Sequence, residues 1–107
     1  AIEKELEQYE KFGATVILSY EDSYPNLLSQ ISDFPPVLIV KGRLKLLKKP
    51  AIAIVGSRNA SVNGANFAKK LATELARNSY IIVSGLARGI DTAVHLGSVE
   101  YGTVGVI

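Results

Sequence analysis

Cysteine, methionine and tryptophan are absent from this 107-residue sequence, and histidine occurs once. Without cysteine the chain has no disulfide framework and no thiolate metal site, and one histidine excludes a histidine-rich metal site. No apolar stretch approaches the roughly 20 residues that a membrane-spanning helix needs. The first residues also lack the basic start and the apolar run of a secretory signal peptide. The sequence therefore predicts a cytoplasmic protein that neither crosses a membrane nor uses thiolate or histidine-rich metal sites.

The two ends of the sequence indicate a piece of a longer protein. A natural reading frame starts with methionine, whereas this chain starts with Ala1 and stops at Ile107, inside an apolar segment. We therefore expect this chain to be an excised part of a larger protein.

Acidic residues are scarce in the greater part of the chain, because seven of the ten precede Phe34. From Phe34 onward ten basic residues face three acidic ones, a balance of +7. Five of the twelve basic residues lie in one connector, residues 41–49, whose simplest interpretation is a solvated turn. This excess of positive charge favours a polyanionic partner, although net charge by itself supports only non-specific attraction.

The first 49 residues carry short elements, which we interpret as an N-terminal extension (residues 1–49) of the domain that follows. Ile2, Leu6 and Tyr9 recur at helical spacing and Gly13 follows as a stop, so a helix with one apolar face is predicted there. The predicted elements are, in chain order, a helix at 2–12, a strand at 15–19, a short helical stretch at 26–31 and a strand at 37–40.

After Pro50 the pattern becomes that of a parallel sheet with crossover helices. The continuous apolar run 51–55 is typical of a strand covered on both faces. The following helix has its apolar stripe at Phe67, Ala68, Leu71, Ala72, Leu75 and Ala76. A strand at 80–84, a helix from an N-cap at Asp91 to about residue 99, and a strand at 103–107 complete a β-α-β-α-β order. Residues 50–107 are thus predicted to form the first half of an extended Rossmann-like α/β fold with a mainly parallel sheet, incomplete in this chain.

Two glycine-rich loops follow the first two of these strands: the first loop, residues 56–64, and the second loop, residues 85–89. Open parallel sheets bind ligands at this edge, where helix N-termini present free amides and partial positive charge. Glycines let a phosphate approach the backbone, serines donate hydrogen bonds, and arginines fork onto phosphate oxygens. The candidate phosphate-binding residues are Gly56, Ser57, Arg58, Ser61, Gly85, Arg88 and Gly89. Because both loops carry an arginine, we predict one extended phosphate track.

Several of these residues also have a purely structural interpretation. Ser61 fits a helix N-cap as well as a phosphate ligand, and either loop taken alone is common in α/β proteins. For Asp91 we favour N-capping over a catalytic role. For His95, one helical turn later, we favour local hydrogen bonding over a role as general base. No set of nucleophile, base and orienting residue is found, so no catalytic residue is assigned.

Four motifs together resemble the bacterial DNA-processing protein A family, also called Smf. They cover nearly the whole chain and are, in order, Tyr24-Pro25-x-x-Leu28, Asp33-Phe34-Pro35-Pro36-Val37-Leu38 with Lys41-Gly42, Val55-Gly56-Ser57-Arg58-x-x-Ser61-x-x-Gly64, and Ser84-Gly85-Leu86-Ala87-Arg88-Gly89-Ile90-Asp91-x-x-x-His95. The resemblance implies a Rossmann-like protein that binds single-stranded DNA without base specificity, delivers it to the RecA recombinase, and protects incoming strands in natural transformation.

The resemblance also implies particular site residues and partners. Gly56, Ser57 and Arg58 match the family's phosphate pocket, with Arg88 of the second loop nearby. The implied protein is a DNA-binding recombination mediator without a cofactor, not an enzyme, and a homodimer at full length. The family's later strands, a further tyrosine-proline motif, the dimerisation surface and any C-terminal winged-helix-like domain are missing from these 107 residues.

Two other functions stay open at this point. A nucleotide-processing enzyme of the phosphoribohydrolase type can be built on a similar sheet. However, no G-x-G-x-x-G follows Val55, Ser84-Gly85 stands where a ribose-binding acid is expected, and no Pro-Gly-Gly-x-Gly-Thr motif is present. A protein-docking domain is the other alternative, with the acidic helix at 2–12 as its contact surface.

Two further expectations concern the surface of the domain. Base stacking is left unassigned, because Phe67, the aromatic residue nearest the first loop, belongs to the predicted apolar stripe. The last predicted strand leaves its outer edge uncovered, so we expect the isolated chain to form dimers or aggregates.

Overall fold

The computed structural model describes residues 2–107, apart from the side chains of Ile2, Glu3 and Leu6. The chain divides into two units, residues 1–48 and 49–107. The elements are α1 (Ile2–Lys11), β1 (Thr15–Leu18), a 3-10 helix (Leu28–Gln30), β2 (Val37–Val40), a second 3-10 helix (Leu44–Lys48), β3 (Ala51–Ala53), α2 (Val62–Arg77), β4 (Ile81–Gly85), α3 (Ile90–Ser98) and β5 (Thr103–Val106). Among the helices of this described part, none is long and apolar enough to cross a membrane.

The first unit is built on an antiparallel pair, β1 and β2. Ile17 of β1 is fully buried, and Tyr24 of the tyrosine-proline motif is buried as well. The Tyr24 hydroxyl donates a hydrogen bond of 2.6 Å to the carbonyl of Pro35, and its ring meets Phe34 edge to face at 6.2 Å. Two of the recognised motifs thus contact each other within this unit. The predicted apolar face of α1 falls largely on Ile2 and Leu6, which lie outside the described side chains.

The basic connector at residues 41–49 exposes all five of its basic residues, as a solvated segment does, but it is a 3-10 helix with an apolar anchor rather than a simple turn. Its 3-10 helix buries Leu46, since the leucines between the lysines supply apolar surface. The ammonium group of Lys48 donates to the carbonyl of Tyr24 at 3.2 Å. The ammonium group of Lys41 lies 3.7 Å from the centre of the Phe12 ring, a cation–π contact.

The second unit is a three-stranded parallel sheet with β4 in the middle, between β3 and β5. Right-handed crossovers between neighbouring strands put both helices on one face of the sheet. The core lies between that face and the helices and is made of Ala68, Ala72, Ala76, Ile82, Ala93 and Val94. The predicted α/β fold class and its β-α-β-α-β order are confirmed.

The covering of β3 differs from the sequence-based expectation. The strand ends at Ala53, and Val55 beyond it is 74% exposed. Within the second unit both helices cover the same face, so Ala51 and Ala53 on the other face are exposed. The prediction of a strand covered on both faces is therefore wrong for this unit.

The apolar stripe of α2 is also rotated from its predicted position. Alanines make the core side, whereas Phe67 is 69% exposed and Leu71 is 40% exposed. The reason is close packing against α3, where a Cβ added to Gly97 would collide with the carbonyl oxygen of Lys69. The Thr73 hydroxyl on the same side donates to the Gly97 carbonyl at 2.7 Å. Phe67 and Leu71 lie on the opposite flank of the helix and stay outside the core.

Candidate phosphate-binding site

The first and second loops interlock at the carboxyl edge of the sheet. The main-chain N–H of Ile90 donates to the carbonyl of Ser57 at 3.1 Å. Gly89 has a φ of +84°, and a Cβ there would collide with that same carbonyl oxygen of Ser57. A Cβ on Gly56 would lie 2.7 Å from the side chain of Ile90. Two of the predicted site glycines therefore serve this packing of loop on loop, which brings Arg58 next to Gly89.

Helix α2 begins with an N-terminus that is open to an anion. Its N-cap, Ser61, accepts a hydrogen bond from the amide of Gly64 at 3.0 Å, and no acidic residue stands in the first turn. In the first loop the amide of Asn59 donates to the Ser57 hydroxyl at 3.1 Å. Each serine accepts through oxygen and keeps its own proton to donate. The amides of the first helical turn add further donors, since no residue within the helix can accept from them.

The N-cap role of Ser61 leads to a stability prediction. We expect Ser61→Ala to lower the free energy of unfolding by about 1 kcal/mol, because the amide of Gly64 loses its acceptor. Ser61→Asn, which retains a capping side chain, should stay close to the wild type. Urea unfolding followed by circular dichroism measures both variants. An alanine variant as stable as the wild type would contradict the capping role.

Helix α3 begins differently, and the predicted N-cap at Asp91 is wrong. The N-cap is Gly89, and Asp91 lies in the first turn and is only 7% exposed. The left-handed backbone of Gly89 starts the helix before Asp91 and folds the carboxylate back toward Gly85, where an added Cβ would lie 2.7 Å from Oδ2. Because a carboxylate already occupies the positive end of α3, this terminus is less suited to a phosphate than that of α2.

The same carboxylate bears on the nucleotide-enzyme alternative. Asp91 brings an acid to the end of β4, where the sequence alone offers Ser84-Gly85. Its Oδ1 atom is inaccessible and has no hydrogen-bond partner among the described residues. An oxygen that water does not reach is equally closed to a ribose hydroxyl, so this arrangement does not favour the enzyme.

His95 is engaged on both ring nitrogens, in agreement with its structural interpretation. Nε2 lies 2.7 Å from the carbonyl oxygen of Gly85, which only accepts, so this nitrogen carries a proton. Nδ1 lies 2.7 Å from the hydroxyl of Thr103, which is also 3.1 Å from the carbonyl of Ile82. The ring therefore links α3 to the end of β4 and to β5, and neither nitrogen is left for a general base.

Both candidate arginines are exposed, and within the part of the chain that the structure describes neither forms an ion pair. Arg77, at the far end of α2, is different: it lies 3.5 Å from Glu74 and its Nε donates to the Tyr101 hydroxyl at 3.3 Å. The hydrogen bond to Tyr101, followed by the charge interactions with Tyr101 and Glu74, raises the pKa of Arg77. Arg58 and Arg88 thus carry charge that no ion-pair partner among the described residues neutralises.

The described residues include no group of three histidine, cysteine or acidic side chains that could hold a metal ion. The bond from Ile90 to Ser57 and the burial of Asp91 are two features of the site that the sequence did not predict. Both depend on the course of the second loop, and the pairing of a glycine with an apolar residue in Gly89-Ile90 is the only signal that marks them in the sequence.

Comparison with known proteins gives consistent results. The family model for DNA recombination-mediator protein A matches residues 15–107. The DNA processing protein DprA of Streptococcus pneumoniae is 46% identical over 102 residues, which cover 94% of this chain and 35% of that protein. The Bacillus subtilis protein of the same name is 40% identical over 105 residues, covering 95% of this chain and 35% of its own length. The chain thus spans about a third of the length of these relatives.

Solved structures agree with the sequence matches. The X-ray structure of DNA processing protein A from Streptococcus pneumoniae superposes with a TM-score of 0.86 and 42% identity, over 99% of this chain and 36% of that one. The Helicobacter pylori protein, whose structure is described in terms of its single-stranded DNA binding mode, superposes with a TM-score of 0.70 and 26% identity, over 86% of this chain and 41% of that one.

Proposed function

The chain belongs to the DNA recombination-mediator protein A family, and from this premise we propose that its second unit binds single-stranded DNA through the interlocked first and second loops. The observation that carries the proposal is the contact between the loops, in which the carbonyl of Ser57 accepts from Ile90 at 3.1 Å. That contact holds the first loop, from which the exposed Arg58 extends, shortly before the N-terminus of α2.

In the proposed mechanism the protein contacts the sugar-phosphate backbone. One phosphate lies at the N-terminus of α2, where it accepts from helix amides, from the hydroxyls of Ser57 and Ser61, and from Arg58. Arg88, which follows on the second loop, takes a neighbouring phosphate, while Gly56, Gly85 and Gly89 let the chain segments approach closely. Because contacts to phosphates carry no direct sequence information, binding is indifferent to base sequence.

For the full-length protein we extend the proposal to delivery of the strand to the RecA recombinase, to the protection of incoming strands in natural transformation, and to a homodimer in the cytoplasm. The structure of the Helicobacter pylori protein is described in terms of its binding of single-stranded DNA, which supports the nucleic-acid part of the proposal. Retention of RecA on a DNA strand loaded with this chain, compared with naked DNA, tests whether the 107 residues contribute to delivery.

Binding of a labelled oligo-dT across a salt series tests the core of the proposal. The logarithm of the binding constant should fall linearly with the logarithm of salt concentration, with a slope of about −1.4 if two phosphates are neutralised on a single strand. A mixed-sequence strand of the same length serves as control and should bind with the same affinity. A folded chain that does not bind either strand, or that binds one sequence alone, would contradict the proposal.

A further inference from the structure

Phe67 exposes an aromatic ring on a helix whose core side is made of alanine. Phe67 is 69% exposed. Asn63 and Lys70 are exposed as well and lie four residues before it and three residues after it, so they share its outer face of α2. This face begins at the N-terminus to which the phosphate site is assigned, and it presents a flat ring, one side-chain amide and an ammonium group.

The charge around this face favours a polyanion. Within the second unit no acidic residue occurs from Lys49 to Thr73, a segment that carries four basic residues. The first acid beyond it, Glu74, lies one turn after Lys70 and is 3.5 Å from Arg77, which offsets its charge. A positively charged groove with aromatic rings is the combination with which proteins hold single strands without reading their sequence.

The spacing along the helix fits one continuous strand. Phe67 follows the N-cap Ser61 by six residues, which is about 9 Å along the axis. In a duplex the phosphates of one strand rise about 3.4 Å each, so about three nucleotides span this distance, and fewer do so when the strand is stretched.

From this arrangement we infer that Phe67 stacks on a base of the single strand whose phosphate is bound at the first loop, and that Lys70 pairs with a phosphate beyond that base. The inference rests on the proposed function and adds to it a base-stacking step on α2. The loops hold the backbone, and the ring holds a base of any identity, because every base has a flat face.

The test combines protein variants with a modified strand. Phe67→Ala should weaken binding of oligo-dT about tenfold, as expected for the loss of one stacked base, and Phe67→Trp should retain the affinity. Leu71→Ala, which removes a half-exposed apolar side chain from the same flank, is the matched control and should change affinity less than about twofold. All variants are checked for their helix content by circular dichroism.

A second strand in which every base is replaced by an abasic site isolates the stacking. The wild type should bind it about tenfold more weakly than oligo-dT, whereas Phe67→Ala should bind both strands alike. If Phe67→Ala binds oligo-dT as the wild type does while Arg58→Ala fails to, the stacking inference is overturned and the proposed function stands. The stacking inference is also overturned if Phe67→Ala weakens binding of the abasic strand by the same factor as it weakens binding of oligo-dT. No binding by the folded wild type overturns the proposed function and the inference together.

Discussion

Replacing Arg58 with alanine should weaken the binding of oligo-dT about 10- to 100-fold, since a charge-assisted bond to phosphate contributes roughly 1.5–3 kcal/mol. The free energy of unfolding should not change, because the side chain is exposed and forms no ion pair within the described part of the chain. The slope of affinity against salt should become shallower by about 0.7, as one phosphate contact is lost. Fluorescence anisotropy with a labelled strand, repeated at several salt concentrations, measures the affinity and its salt slope. Urea unfolding measures the free energy of unfolding.

Two other arginines serve as controls for this experiment. Arg77→Ala removes the same charge from the far end of α2, where the guanidinium is already engaged with Glu74 and Tyr101, so affinity should change less than about twofold. Arg88→Ala should have an intermediate effect, since Asp91 occupies the N-terminus of the helix that follows it. A larger loss for Arg88→Ala than for Arg58→Ala would move the principal phosphate to the second loop.

The sheet and its loops could be predicted from the sequence because each rests on a local pattern. The apolar runs of β3 and β4 are followed by glycine and then by helical periodicity, and this order is enough to define parallel strands with ligand-binding loops at one edge. The bounds of β2 are those predicted, residues 37–40. The end of β3 was misplaced by two residues, since an apolar side chain such as Val55 does not reveal whether anything will cover it.

The errors concern positions that depend on tertiary packing. The orientation of α2 follows from its contact with Gly97 of α3, which lies some 30 residues away in the sequence, so periodicity alone assigned Phe67 to the core. The sequence favours an N-cap at Asp91, because aspartate is among the preferred N-cap residues. The backbone of Gly89 starts the helix earlier and turns this carboxylate inward.

The glycines of the two loops acquire a new interpretation from the structure. From sequence they were expected to admit a phosphate to the backbone. A Cβ at Gly56 would approach Ile90, one at Gly85 would approach Asp91, and one at Gly89 would collide with Ser57. Their small size is therefore used by the protein itself, and their contribution to binding is indirect: they fix the loop that carries Arg58.

The stability of Gly89→Ala tests this interpretation. We expect the substitution to lower the free energy of unfolding by about 2–4 kcal/mol, because a left-handed backbone and a collision with the Ser57 carbonyl oxygen act together. Gly42→Ala is the matched control: its φ is +122°, but nothing lies within 4 Å of the added Cβ. Gly42→Ala should lower the free energy of unfolding by about 1 kcal/mol, from backbone strain alone. Urea unfolding of both variants gives the difference that belongs to the contact between the loops.

The DNA affinity of Gly89→Ala separates positioning from stability. At a temperature where the variant remains folded, relief of the collision must move the second loop away from Ser57, and the Ile90 amide then loses its acceptor. Arg58, the next residue in the first loop, would lose its fixed position, so oligo-dT should bind more weakly even though Gly89 has no side chain to contact it. Unchanged affinity in a folded Gly89→Ala would mean that the contact between the loops stabilises the fold without orienting Arg58.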